Sequence, residues 1–218
     1  MIWGLINMKL FELLSPGPGI NKPLRIQIAG IIKFVQKNCS IALDEMLATG
    51  KYLLRGTRED NQTVFIGQSR TDSSRLPADT PLITQSQVDD SLYQAGFKAL
   101  RSNSIFCSST IRTAREYGSP YAIFPVNGFE YTWSSKIFDL TGALDGCELP
   151  AEMALISDIR ELPGKEFARK YEFHNSVDLK GALMSDNEIY IRGTYLAVKW
   201  AYLGDPHGTV VDVFGIER

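Results

Sequence analysis

Cysteine and histidine are scarce in this 218-residue chain: Cys39, Cys107 and Cys147 are the only cysteines, His174 and His207 the only histidines. An odd cysteine count with wide spacing and no CxxC pair excludes a disulfide framework and points to a reducing, cytoplasmic compartment. Neither histidine lies near a cysteine or the other histidine in sequence, so a histidine-ligated metal is not expected. Asp139, Asp145 and Glu148 are irregularly spaced and read as a solvated loop. A strong charge of one sign is also missing, the net being −2. No global field then draws the chain to nucleic acid or an anionic membrane. GxxxxGK(S/T) is absent, which removes a P-loop, and Ser15-Pro16-Gly17-Pro18-Gly19 lacks the flanking strand of a dinucleotide fingerprint. Long apolar runs are lacking as well. Residues 1–14 are interrupted by Lys9 and Glu12, too short and too broken to be expected as a membrane span or a signal peptide.

What is present is ordinary globular material, 44% hydrophobic and 22% charged, enough for one domain with a substantial core. Leu24, Ile28, Ile31, Ile32 and Val35 follow helical spacing. A second helix is expected from Ser40, closed by Gly50. Residues 1–50 thus read as an N-terminal helical region packed on the same domain. Lys51 to Arg55 and Thr63 to Ile66 are short β-rich runs. Residues 67–87 look like loop, and Val88 to Leu100 like a helix with Asp89 and Asp90 favouring its N-terminus. Strands are expected at Ile105-Phe106-Cys107, Tyr121 to Val126, Phe129 to Trp133, Glu188 to Ile191, Tyr195 to Trp200 and Thr209 to Ile216. Helices are expected from Thr110 to Tyr117, over 149–172 with a break at Pro163-Gly164, and from Asp178 to Met184. Helices first and short strands later predict an α+β fold with a mixed, mainly antiparallel sheet rather than alternating βαβ units.

Three distant segments each place a polar residue at a strand or strand edge. Arg55 ends an apolar strand and precedes Gly56, where a forked donor can meet phosphate oxygens and the bare backbone permits close approach. Ser108, Ser109 and Thr110 follow the Ile105 strand and precede a helix. Asp186 and Glu188 precede the apolar Ile189-Tyr190-Ile191. A carboxylate there can bind a ribose hydroxyl and stabilise an oxocarbenium-like centre. Each also has a plain structural alternative: an arginine marking a strand end, serines capping a helix, a glutamate opening a hairpin.

Arginine, then a serine cluster, then a glutamate, in that order, resembles the arginine–serine–glutamate class of ADP-ribosyltransferases. Phe106-Cys107-Ser108-Ser109-Thr110 is similar to that family's aromatic-x-Ser-Thr-Ser pattern with the last two positions exchanged. Asp186-Asn187-Glu188 followed by an apolar strand, Gly193 and a second apolar strand is similar to its catalytic-glutamate segment. The resemblance covers residues 51 to about 200. It implies a split β-sheet core over 51–218, with a helical insertion at about 145–175. It implies that the chain cleaves NAD at the nicotinamide–ribose bond and passes ADP-ribose to a macromolecular acceptor, with NAD as substrate and no metal. In that reading Glu188 stabilises the ribose cation and Ser108 orients it. Arg55 and Arg75 neutralise the diphosphate, and Gly56 and Thr110 line the NAD site. Tyr117 stacks on nicotinamide, with a core or helix-end tyrosine as its alternative. Asp186, acidic where the family discriminates acceptors, implies a basic acceptor such as an arginine side chain. A catalytically silent member of the same fold is the competing expectation. The texture of the whole chain also resembles proteins of tailed bacteriophages, some of which carry host-modifying ADP-ribosyltransferases. That likeness implies action on a host protein in a bacterial cytoplasm, or carriage in a virion.

Overall fold

A computed structural model describes residues 24–58, 62–70, 82–138 and 150–203. Arg75, Cys147, the acidic residues 139, 145 and 148, the first fourteen residues and the strand expected at Thr209–Ile216 lie outside them.

The chain opens with α1 (Leu24–Asn38) and α2 (Ser40–Thr49). Ile31, Phe34 and Val35 of α1 and Ala42, Leu43 and Met46 of α2 are buried, the i, i+3, i+4 rows that place side chains on one helix face. Gly50 closes α2 in the left-handed region at φ 70°, as its lack of a Cβ allows. Next come β1 (Leu54–Thr57), β2 (Val64–Gln68), α3 (Leu82–Gln94), β3 (Ile105–Cys107), α4 (Ile111–Glu116), β4 (Ser119–Pro125) and β5 (Glu130–Ser134). The remainder is α5 (Pro150–Glu161), α6 (Gly164–Lys170), β6 (Phe173–Asn175), α7 (Leu179–Ser185), β7 (Ile189–Arg192), β8 (Thr194–Lys199) and a 3₁₀ turn, Trp200–Tyr202.

The strands form two four-stranded sheets, ordered β1-β4-β8-β2 and β3-β7-β5-β6. Every described pairing between these strands is antiparallel. The fold is therefore α+β with a split antiparallel core. Apart from β5 and β6, strands adjacent in sequence are not paired in space: β4 and β8 stand between β1 and β2, and β4 and β5 belong to different sheets. The two sheets are joined where Leu54 and Ser108 exchange backbone hydrogen bonds of 2.7 and 2.9 Å.

One face of each sheet meets a shared core with α1, α2 and α7. Tyr52, Leu53, Phe124, Ile189, Ile191 and Leu196 are its heart. Tyr52 meets Trp200 and Phe124 edge-on, with ring centroids 5.3 and 6.1 Å away, the geometry that aromatic quadrupoles favour. The stretch expected as an insertion builds a second core. Leu155 and Ile159 of α5 and Phe167 of α6 pack with Val88 and Leu92 of α3, Phe97 and Leu100. Phe173 of β6 leans on this cluster and meets the Phe97 ring edge-on at 6.3 Å.

Two expectations for this layer need correction. The helix begins at Leu82 rather than Val88 and ends at Gln94, so residues 82–87 are not loop and 97–100 are not helix. Asp89 is consequently mid-helix and buried rather than at an N-terminus.

Candidate functional site at the sheet junction

The Leu54–Ser108 bridge brings the first two sequence segments together. Arg55, one residue on in β1, directs Nη1 at the Phe106 carbonyl oxygen 3.5 Å away. The third segment arrives through β7. Its register against β3 pairs Phe106 with Tyr190 and Cys107 with Ile189, and one further step along the strands sets Ser108 across from Glu188. Both charges act on the buried Cys107 between them. Burial pushes its thiol up to about 12, with the Arg55 charge opposing and the Glu188 charge adding. Arg55, Ser108 and Glu188 thus gather around the end of β3.

The serines act differently from the expectation. The Ser108 hydroxyl accepts the Thr110 N–H at 3.2 Å, lies 3.2 Å from Thr110 Oγ1 and reaches the Asp186 carbonyl at 3.5 Å. It is engaged there rather than on the Glu188 carboxylate. The serine that meets a carboxylate is Ser109, donating to Asp186 Oδ1 at 2.7 Å, where Lys51 Nζ also arrives at 3.0 Å. Partial burial raises the Asp186 pKa, but the Ser109 hydroxyl and the Lys51 ammonium outweigh it and hold the carboxyl below its usual range. Asp186 itself sits at φ 60° as the C-cap of α7. Thr110 occupies the cap position of α4 without a side-chain bond to the helix backbone; its hydroxyl donates instead to Thr113 Oγ1 at 2.7 Å. Helix capping therefore does not account for this polar cluster.

Glu188 is fixed by a residue that sequence reasoning missed. Arg101 Nη1 donates to Glu188 Oε2 at 2.7 Å and to the Tyr190 hydroxyl at 3.1 Å. The two charged side chains are 3% and 15% exposed. The Arg101 guanidinium lies over the Phe106 ring at 4.7 Å and the Tyr190 ring at 5.6 Å. Below it, Asp89 of α3 accepts the backbone N–H groups of Arg101 and Ser102 at 2.9 and 3.0 Å. Burial raises the Asp89 pKa against these hydrogen bonds. The Glu188 N–H is held separately by the Phe138 carbonyl at 2.8 Å.

Gly56 serves packing. A Cβ there would collide with the Ala114 carbonyl oxygen and stand 2.9 Å from Tyr117 Cβ and 3.0 Å from the Gly118 nitrogen. Its bare backbone admits α4 rather than open space for a ligand. Tyr117, just beyond α4, is 51% exposed, which removes the core alternative for it. No group of three or more His, Cys, Asp or Glu that could hold a metal occurs among the described residues. None of the described helices is long and apolar enough to cross a membrane. Compared with family models, curated proteins and solved structures, the chain matches none.

Proposed function

We propose that this protein is an NAD-dependent mono-ADP-ribosyltransferase, and that its split core is the ADP-ribosyltransferase arrangement. The observation that carries this is the meeting of three segments, far apart in the chain, at one junction. Leu54 beside Arg55 is bonded to Ser108, and Ser108 and Glu188 directly flank the Cys107–Ile189 pair that ends the β3–β7 register. In this reading NAD is the substrate. The C–N bond to nicotinamide breaks, nicotinamide takes the electron pair, and positive charge develops on the ribose. Glu188 holds a ribose hydroxyl and stabilises that charge, where a fixed carboxylate acts only as charge appears. Arg55 meets diphosphate oxygens with its fork of donors. A nucleophile of the macromolecular acceptor, an arginine side chain being favoured by the acidic Asp186, then bonds to the ribose carbon and loses a proton.

A catalytically silent form of the same fold is the second reading. It is favoured by the 2.7 Å ion pair that already occupies Glu188 Oε2 and by the Ser108 hydroxyl pointing to the Asp186 carbonyl. Incubation with NAD labelled in the adenylate, together with a bacterial lysate, separates the readings. The transferase reading expects label on protein; absence of both label transfer and nicotinamide release leaves the silent reading.

A further inference from the structure

We propose that Arg101 is the positioning residue of the site, holding Glu188 ionised and in one orientation. For its effect on rate this inference rests on the transferase reading; its structural content does not. A carboxylate only 15% exposed favours its neutral form unless a cation or donors compensate. Arg101 supplies both. Its guanidinium stays charged throughout the working pH range and its planar fork keeps a fixed aim.

That aim is set from three sides. Phe106 and Tyr190, cross-strand partners in β3 and β7, carry the guanidinium on their rings. The Asp89 carboxylate clamps the backbone on which Arg101 stands. Tyr190 closes the set, accepting from Arg101 and hydrogen-bonding Glu188. Among the described residues, the charged and titratable groups around Glu188 include Arg101 from the loop after α3, Tyr190 from its own strand, and Cys107 and Arg55 from β3 and β1. Arg101 is a cation hydrogen-bonded to the carboxylate. Truncating one partner of a buried pair strands the other, which costs more than the pair contributes. The helical layer therefore reaches the glutamate through Asp89 and Arg101, and is part of the site's construction.

The test compares wild type with Arg101→Gln, using protein carbon-labelled at glutamate carboxyls and assigning Glu188 by its loss in Glu188→Gln. We expect the Glu188 carboxyl of Arg101→Gln to titrate about one unit or more higher. An unchanged titration overturns the proposal. Where Arg101→Gln does not fold, Glu188→Gln decides through the Arg101 guanidinium protons. These should exchange about tenfold faster or more once the charge-assisted bond is gone, and equal protection overturns it. In NAD cleavage, Arg101→Lys should lower kcat about 10²-fold with KM little changed, and the acid limb of the profile should move up in Arg101→Gln. A matched fall in stability with unchanged kcat would reduce Arg101 to a structural pair. Wild-type protein that cleaves no NAD removes the transferase reading, while the titration still decides the role of Arg101.

Discussion

Replacing Gly56 by alanine separates the two roles a glycine beside Arg55 can have. The added Cβ meets two backbone atoms and the root of a side chain: the Ala114 carbonyl oxygen inside contact distance, the Gly118 nitrogen at 3.0 Å, and Tyr117 Cβ at 2.9 Å. None of these is the loose end of a long side chain. α4 is only Ile111–Glu116 and follows the serine cluster directly, so it must shift away from β1 or β1 must leave its register with β4. Overpacking of this kind costs roughly 1–3 kcal/mol, and backbone neighbours put Gly56→Ala toward the upper end. With a urea m-value of about 2 kcal/mol/M, the unfolding midpoint should fall by about 1 M or somewhat more. The assay is urea unfolding followed by tryptophan fluorescence and circular dichroism together. A midpoint equal to wild type, with NAD affinity reduced, would refute the packing argument and return Gly56 to the ligand.

Arg55→Lys should weaken NAD binding about tenfold although charge is kept, because an ammonium cannot reproduce two parallel bonds; equal affinity by calorimetric titration would leave Arg55 as a β1 residue directed at the Phe106 carbonyl. Asp186→Ala should cut labelling of protein while sparing nicotinamide release; a matched fall in both moves Asp186 into the NAD site. The Asp186 carboxyl is held below its unfolded value by Ser109 and Lys51, so its contribution to stability is present above the unfolded pKa and disappears as pH falls through the folded one. The stability gap between wild type and Asp186→Asn should thus close on acidification, and a gap that widens contradicts the assignment.

Local pattern made some elements readable and left others hidden. Ile105-Phe106-Cys107 is β3 to the residue, because an apolar triplet between polar loops has few other uses. Gly50 closing α2 and the Pro163-Gly164 break between α5 and α6 were equally plain. The start of α3 is hidden because 82–87 follows a proline-containing polar stretch, although proline just ahead of a helix is also a start signal. Its end is hidden because Phe97 and Leu100 are apolar for another reason: they fill the second core from a loop. Arg55, Ser108 and Glu188 could be picked out because each sits in a strand context. Arg101 could not: it lies in the loop between α3 and β3, and its partner Glu188 is 87 residues away. The same holds for Ser109, whose hydroxyl meets Asp186 across 77 residues. Such pairings follow from strand order, which periodicity along the chain does not encode.

Nicotinamide release by purified wild type and Glu188→Gln, at saturating NAD, tests the central claim most directly. The substitution keeps the shape of the side chain and removes its charge. If Glu188 stabilises the ribose cation, wild type releases nicotinamide well above the protein-free rate, and Glu188→Gln is slower by about 10²–10³-fold with an unchanged unfolding midpoint. Equal release by the two proteins, or none by wild type, contradicts the account.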